Sequence, residues 1–371
     1  MNRRKFLLGS GAVVVIAGFS GYLVSDRNNF ERADSLAGNN KETGLTSDEI
    51  KILSLASLAP SGHNTQPWFI KCIAPYHWII CNDKSRWLPA VDPTQRETML
   101  SIGAFLQNLE YAADNMGYSH QFNLMAISNQ AEEVMEVKLK KSGNRFSFDL
   151  ELIRQRRTMR SNLLIDPLKT KDIRHLIGED KDLIHFIPGL SKEYAYINEQ
   201  TIEANKIQSY RNAAQRELSN WIRFSSADAK KKLDGLTTGS MEIDGIPGWM
   251  VRNFYDRDNV MSKSFRDQGI AQVEKQVAYS AGWFLISSKA DSVECLIETG
   301  KMMQRLFLKV RERNIGIHPM TQILEEPSIK QSLNTSIRIK DEIQFILRTG
   351  YVKNYPDPVS LRRSLNMFIR S

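Results

Sequence analysis

Four arginines crowd one hydroxyl in the segment "RQRRTMRSN", where Arg154, Arg156, Arg157 and Arg160 surround Thr158. A guanidinium offers two parallel charge-assisted hydrogen bonds, so such a cluster suits a phosphate. The same residues also read as the solvated basic end of a helix. A second pair, Arg362 and Arg363, stands near the C-terminus in "DPVSLRRSL". The other chemically loaded stretch is "LASLAPSGHNTQPWFI", residues 55–70. There Pro60 ends a helical run and Gly62 permits a tight backbone, while Ser61, Asn64 and Gln66 offer donors and acceptors beside Trp68. The set could read the polar edge of a flat heterocycle and the hydroxyls of its sugar chain. Alternatively, it is a loop whose Ser and Asn bond to their own backbone. His318, in "GIHPM", reads as a loop histidine with its bonds satisfied rather than a proton donor. Trp249, Trp283, Met302 and Met303 read as core or lid residues. No Walker loop, no GxGxxG after a strand, no HExxH and no GxSxG is found, which leaves nicotinamide-Rossmann, zinc-hydrolase and serine-hydrolase readings unsupported.

The elements that position these residues belong to a chain of 371 residues, 42% hydrophobic and 25% charged, ordinary values for a globular protein. The net charge of +8 is spread along the whole chain and interleaved with Asp and Glu, so a nucleic-acid partner is not expected. Cys72, Cys81 and Cys295 show no CxxC spacing and read as buried free thiols, with neither a disulfide framework nor a metal site. The basic "NRRKFLL" runs into an apolar stretch that ends at Val24. Residues 1–25 therefore read as an export signal or membrane anchor, with Arg3 and Arg4 resembling a twin-arginine signal. Residues 6–24 are about long enough to span a bilayer, which would leave the remainder exported on the periplasmic or cell-surface side. Residues 26–44 read as a polar linker.

Beyond the linker, Thr46 with Glu49 marks a helix start, and a helix is expected to residue 59. Strands follow at 68–73 and 78–81, a buried helix at 96–118, and strands at "QFNLMAI" and "VMEVKLK". The Gly103-Ala104 pair in that helix lets another backbone approach closely. A second series begins with a short helix at 150–157, then a helix and a strand near 171–187 and a long charged helix over 191–222. Residues 225–265, rich in Gly and Pro, read as a lid-like excursion. A helix at 267–280, the strand "WFLISS", a helix at 291–313 and the strand "EIQFILRTGY" complete an α+β pattern with strands far apart in sequence.

Taken together, "LAPSGHNTQPW" and "RRTMR" resemble the APSxxNxQPW and RRSxR motifs of the nitroreductase family. "ILRTGYVKNYPDPVSLRRSL" is similar to its closing strand and arginine-bearing tail, and "GKMMQRLFLKVRERNIGIHPMTQ" to its late helix and the loop after it. The arginine motif follows the loop motif here, about ninety residues on, and neither is repeated. That layout resembles the Acg-type branch, as do "VDPTQRETMLSIGAFLQNLEYAADNMGY" and "RELSNWIRFS". The resemblance implies an α+β nitroreductase-like fold, with two related halves (45–149 and 150–371) imitating the family dimer in one chain, a monomer acting as a pseudo-dimer. It implies FMN as cofactor, with its phosphate on Arg156, Arg157, Thr158 and Arg160, helped by Arg362 or Arg363. Ser61, Gly62, Asn64 and Gln66 would line the ribityl chain and ring edge. The implied activity is electron transfer through FMN, whose N5 carries the chemistry, from a small-molecule donor or a membrane quinol to a nitroaromatic or quinone. The alternative is a protein that holds a lid-covered flavin with little or no turnover.

Overall fold

The computed structural model describes Arg32, residues 44–143 and residues 146–370. The basic start and the apolar run at 6–24 lie outside the described residues. Among the described residues, no helix is long and apolar enough to cross a membrane. Arg32, inside the segment read as a free linker, is buried and donates to the carbonyl of Arg154 at 3.0 Å.

The helix Ser47–Ala56 opens as the sequence indicates. Thr46 caps it in a reciprocal box with Glu49, and Glu49 also accepts from the backbone of Tyr76 (2.8 Å) and from Trp78 Nε1 (3.2 Å). Strands β1 (Trp68–Ala74) and β2 (His77–Asn82) form a hairpin in which Phe69 faces Cys81 and Cys72 faces Trp78. The two cysteines are therefore not opposite one another. Cys81 is buried and burial pushes its thiol up to about 12, while Cys72 and Cys295 are only half-buried. After the helix Arg96–Asn115 come β3 (Tyr118–Leu124) and β4 (Glu133–Lys141). The second sheet is built from β5 (Ile184–Pro188), β6 (Gly282–Ser288), β7 (Ile315–Pro319) and β8 (Glu342–Tyr351), paired antiparallel in the order β5-β6-β8-β7. Every residue of β6 is buried. The short β9 (Ile369–Arg370) returns from the far end of the chain to run parallel to β1 in the first sheet, whose order is β3-β4-β2-β1-β9.

Two central helices, Arg96–Asn115 and Val293–Lys309, cross at glycine. A Cβ on Gly103 would lie 2.2 Å from the Ile297 carbonyl oxygen, and one on Gly300 would lie 2.1 Å from that of Leu100. Only glycine at both positions permits this approach, which is the close packing the Gly103-Ala104 pair suggests. Further along, Gln304 donates to Asn108 at 2.8 Å and Asn108 to the Leu55 carbonyl at 3.3 Å. These buried amides fix the register of an otherwise apolar seam.

The fold departs locally from the sequence reading. The long charged helix is two, Lys192–Tyr210 and Asn212–Trp221, because Arg211 turns extended and sends its guanidinium to the Ala90 carbonyl and Glu326, both at 2.7 Å. Residues 225–265, read as a lid-like excursion, contain four short helices, Ser226–Lys232, Thr238–Met241, Gly245–Phe254 and Arg257–Val260. Strand β7 and the helix Pro327–Ile337 have no counterpart in the sequence reading.

Candidate active site

The turn after the first helix is strained and heavily tied. His63, Asn64 and Gln66 all take positive φ, at 47°, 53° and 52°, a region that non-glycine residues hold only when their surroundings impose it. Ser61 Oγ accepts from the Gln66 backbone at 2.9 Å. The Asn64 amide donates to the carbonyls of Gly235 and Leu361, both at 3.1 Å, and its oxygen accepts from Arg362 at 2.8 Å. Gln66, fully buried, donates to the Leu233 carbonyl at 3.0 Å and accepts from the Arg363 backbone at 3.0 Å. The amides of this loop are thus held out chiefly to the 233–235 segment and the 361–363 tail, where they satisfy backbone groups that would otherwise be buried unpaired.

Ser61, Gly62, Asn64, Arg156, Arg157, Thr158, Arg160 and Arg362 border one cavity of about 360 Å³, within the range of small-ligand sites. Gln66 and Arg363 do not border it. Arg363 instead donates to the carbonyls of Gln66 (2.6 Å) and Trp68 (2.7 Å). Arg362 gives hydrogen bonds to the carbonyls of Leu58 (3.0 Å) and Ala59 (3.1 Å), so it closes the first helix. Arg154 points elsewhere and pairs with Glu151 at 2.6 Å.

Arg156 differs from its neighbours. It is 4% exposed and lies over the Phe307 ring at 4.9 Å. Among the described residues its hydrogen bond is a long one, 3.4 Å from Nη2 to the Leu58 carbonyl, and its buried Nε and Nη1 meet no acceptor. Burial, and then the charge of Arg32, lower it to about 9. A buried cation with idle donors is costly, and an anion in the cavity would relieve it.

Arg157 and Arg160 are partly engaged by the 238–242 segment. Glu242 accepts from Arg157 Nη2 (3.2 Å), from the Arg160 backbone (3.2 Å) and from Ser161 Oγ (2.5 Å), and Arg160 Nε donates to the Ser240 carbonyl (2.9 Å). Arg160 Nη1 lies 2.9 Å from His318 Nε2. Because the guanidinium can only donate, Nε2 accepts and the imidazole is neutral. Burial, with Arg160 and Arg348 nearby, holds His318 well below its usual range. It lies on β7 rather than in a loop, and among the described residues its buried Nδ1 meets no partner, so it is not the satisfied loop histidine expected. His63, which borders the cavity, is likewise lowered to about 4, first by burial and then by Arg160. Trp283 is a core residue bonded to Asn198 at 2.9 Å, whereas Met303 borders the cavity.

Glu242 is thus a latch between the helical excursion and the arginine segment. Glu242→Gln keeps the shape but removes the charge that Arg157 and Ser161 address. Losing charge-assisted bonds of this kind should cost about 1.5–3 kcal/mol locally. Amide hydrogen exchange should therefore quicken in 238–254 and stay unchanged in β6; equal protection of 238–254 in both proteins would rule the latch out.

Missing from the sequence reading is a set of acidic, amide and hydroxyl residues on the same cavity: Glu97, Asn205, Gln208, Thr321, Gln322 and Glu325. Glu97 reads locally as a first-turn acid of its helix, and nothing in its neighbourhood in sequence points to a partner more than two hundred residues away.

No protein-family model matches the chain. A Mycobacterium tuberculosis protein with the provisional name NAD(P)H nitroreductase acg is 24% identical over 341 residues, covering 88% of this chain and 96% of that protein. A continuous span of that share necessarily includes both motif segments. A Serratia protein with the provisional name NAD(P)H nitroreductase PigM is 21% identical, covering 80% of this chain and 86% of its own length. Among solved structures, the FMN-dependent nitroreductase NfnB from Mycobacterium smegmatis, solved with NADPH, is 12% identical (60% of this chain, 96% of that one, TM-score 0.37). A nitroreductase-like protein from Bacillus cereus is 10% identical (58% and 90%, TM-score 0.30); scores this low carry no inference. Over most of its length the chain is thus similar to nitroreductases of the Acg type, and the two motifs that carry the resemblance meet at one cavity.

Proposed function

We propose that the cavity holds FMN and that the protein is a flavin-dependent oxidoreductase of the nitroreductase type. The observation that carries this reading is Arg156, whose buried Nε and Nη1 have no acceptor among the described residues and which borders a cavity that the 61–64 loop also borders. Arg156, with the remaining donors of Arg157, Thr158 and Arg160, would hold the phosphate. Ser61 and Gly62 would lie along the ribityl chain. When bound, the flavin would supply two-electron hydride chemistry, which no side chain of the protein can provide. The acceptor would be a small nitroaromatic or quinone. The relatives' names point to NAD(P)H as donor. Should the N-terminal segment export the chain, as its sequence suggests, a membrane quinol or a partner protein would have to take that part. One chain supplies both the loop and the arginine segment, which suits a monomer built as a pseudo-dimer.

A second reading, flavin storage with little turnover, is favoured by the Glu242 latch, which ties the helical excursion across the arginine segment. Both readings meet in one experiment. The full-length chain is titrated with FMN, followed by flavin absorbance and fluorescence, and NADPH is then added without oxygen. Stoichiometric uptake with rapid bleaching is expected of the reductase. Uptake with colour that persists until dithionite is added would favour storage or another donor. A chain that takes up no FMN would refute both.

A further inference from the structure

The cavity carries a second chemical element, formed by Glu97, Thr321 and Glu325. The Thr321 hydroxyl lies 3.2 Å from Glu97 Oε1 and 3.1 Å from Glu325 Oε1. A hydroxyl has a single proton to give, so it can donate to only one of these oxygens. The other contact is a hydrogen bond only if that carboxyl carries a proton of its own. Glu97 Oε1 also accepts from Arg96 at 3.0 Å, which marks it as the ionised partner. Among the described residues Glu325 has no cation within bonding distance; its other oxygen accepts from the Gln208 amide at 2.6 Å. The geometry therefore places the proton on Glu325 Oε1, pointing to Thr321, whose own proton points to Glu97.

The surroundings agree with that placement. Glu325 is half-buried, and desolvation followed by the charge of Glu97 pushes its carboxyl well above the usual range, with Arg96 acting in the other direction. Asp92, beside Glu97, is pushed up to about 7, again by burial and then by Glu97. The remaining charges of this corner, Arg211 and Glu326, neutralise one another at 2.7 Å. Glu97 keeps 17% side-chain exposure, a route to solvent. Two amide oxygens on the cavity wall, those of Asn205 and Gln322, are shielded from solvent and meet no donor among the described residues. Together with the idle donors of Arg156, they mark the cavity as built for a polar ligand.

We propose that Glu325 gives a proton to the substrate being reduced in this cavity, and that it is reprotonated from Glu97 through the Thr321 hydroxyl. The proposal rests on the flavin reading for its hydride source. With a para-quinone as acceptor, the flavin, when bound, would supply the hydride. One quinone oxygen gains that hydrogen with its electron pair, the ring passes a pair to the opposite oxygen, and that oxygen takes the Glu325 proton. The product is the hydroquinone, and Glu325 is left as a carboxylate. A proton from solvent then reaches Glu97, and the Thr321 hydroxyl hands its own proton to Glu325 as it receives one from Glu97.

Two measurements test this on the full-length chain. In apoprotein labelled with ¹³C at the glutamate carboxyl, one signal should titrate far above the others and be missing from Glu325→Gln. In stopped flow, the FMN-loaded chain, reduced with dithionite, is mixed with para-benzoquinone across the pH range. The wild-type rate should fall on the alkaline side as Glu325 ionises. Glu325→Gln should be slower by roughly 100-fold and should lose that limb while retaining FMN. If Glu325→Gln fails to fold or to bind FMN, Thr321→Val takes its place and should slow repeated turnover about tenfold or more without moving the single-turnover rate. An ordinary Glu325 titration, an unchanged rate and pH profile in Glu325→Gln, or unchanged turnover in Thr321→Val would each overturn the proton step alone. A wild-type chain that takes up no FMN would overturn the flavin reading and the step with it.

Discussion

Arg156→Met should weaken FMN binding by about 100-fold and at the same time make the ligand-free protein more stable. The two halves of this result have one cause. In the free protein the guanidinium is buried with Nε and Nη1 unsatisfied, and Arg32 and Arg362 add like charge nearby. Removing a charge buried in this way is stabilising as long as the volume is kept, and Met preserves the contact with Phe307. With a phosphate present, the same two donors make charge-assisted bonds worth about 1.5–3 kcal/mol each, so a loss of about 3 kcal/mol, or some 100-fold in affinity, is a conservative expectation. Linkage supplies a further check. Arg156 is lowered to about 9 in the fold, well below the free side chain. Across that window the unfolded chain binds the extra proton, so the wild-type apoprotein should gain stability from this group as pH rises. The variant should lack the gain, and subtracting the two curves cancels the other titrations. Thermal melts and FMN fluorescence titrations measure all three effects. A variant that binds FMN as tightly as wild type would sink the phosphate assignment.

What the sequence made legible follows the range of the interactions. Thr46 with Glu49, the hairpin of β1 and β2 and the cluster around Thr158 are local, and each requires residues at fixed short spacing. The loop at 61–66 is recognisable for the same reason, yet the roles within it are not local. Gln66 and Arg363 look like ligand residues because they are polar and stand beside a motif. In the fold they bond one another's backbone and the Leu233 carbonyl, partners 167 and 297 positions away. The break at Arg211 is hidden in the same way, since the helical pattern on both sides is continuous and the pull comes from Ala90 and Glu326. The Glu97–Thr321–Glu325 contact joins the start of one helix to the residues after β7, and no spacing rule reaches that far. Gly103 was readable as a point of close approach, although its partner Gly300 was not.

That crossing carries the largest expected effect on stability. Gly103→Ala should raise intrinsic helix propensity by about 1 kcal/mol, so on local grounds the substitution stabilises. Packing opposes it: the new methyl would sit 2.2 Å from the Ile297 carbonyl oxygen and 3.0 Å from Gly300 Cα. Both are backbone atoms, which cannot rotate away as a side chain can. The helices would have to part by about 1 Å to restore ordinary contact, stretching the Asn108–Gln304 bond at 2.8 Å and the Arg305–Gln107 bond at 3.1 Å. Overpacking costs typically 1–3 kcal/mol and more where the backbone must move, so a net loss of about 3 kcal/mol is expected, seen as a lower urea midpoint at unchanged slope. Ser101 and Met303 ride on these two helices and border the cavity, so FMN affinity should fall too. That pairing of lost stability with lost binding is the opposite of the Arg156→Met signature, and it separates damage to the frame from loss of a ligand contact. Gly269→Ala is the control, because a Cβ there meets nothing within 4 Å in a helix of the same chain. It should be neutral or stabilising by up to about 1 kcal/mol. If both alanines destabilise equally, the cost lies in helix backbone and not in the crossing; if neither does, the two helices are not held at the distance described.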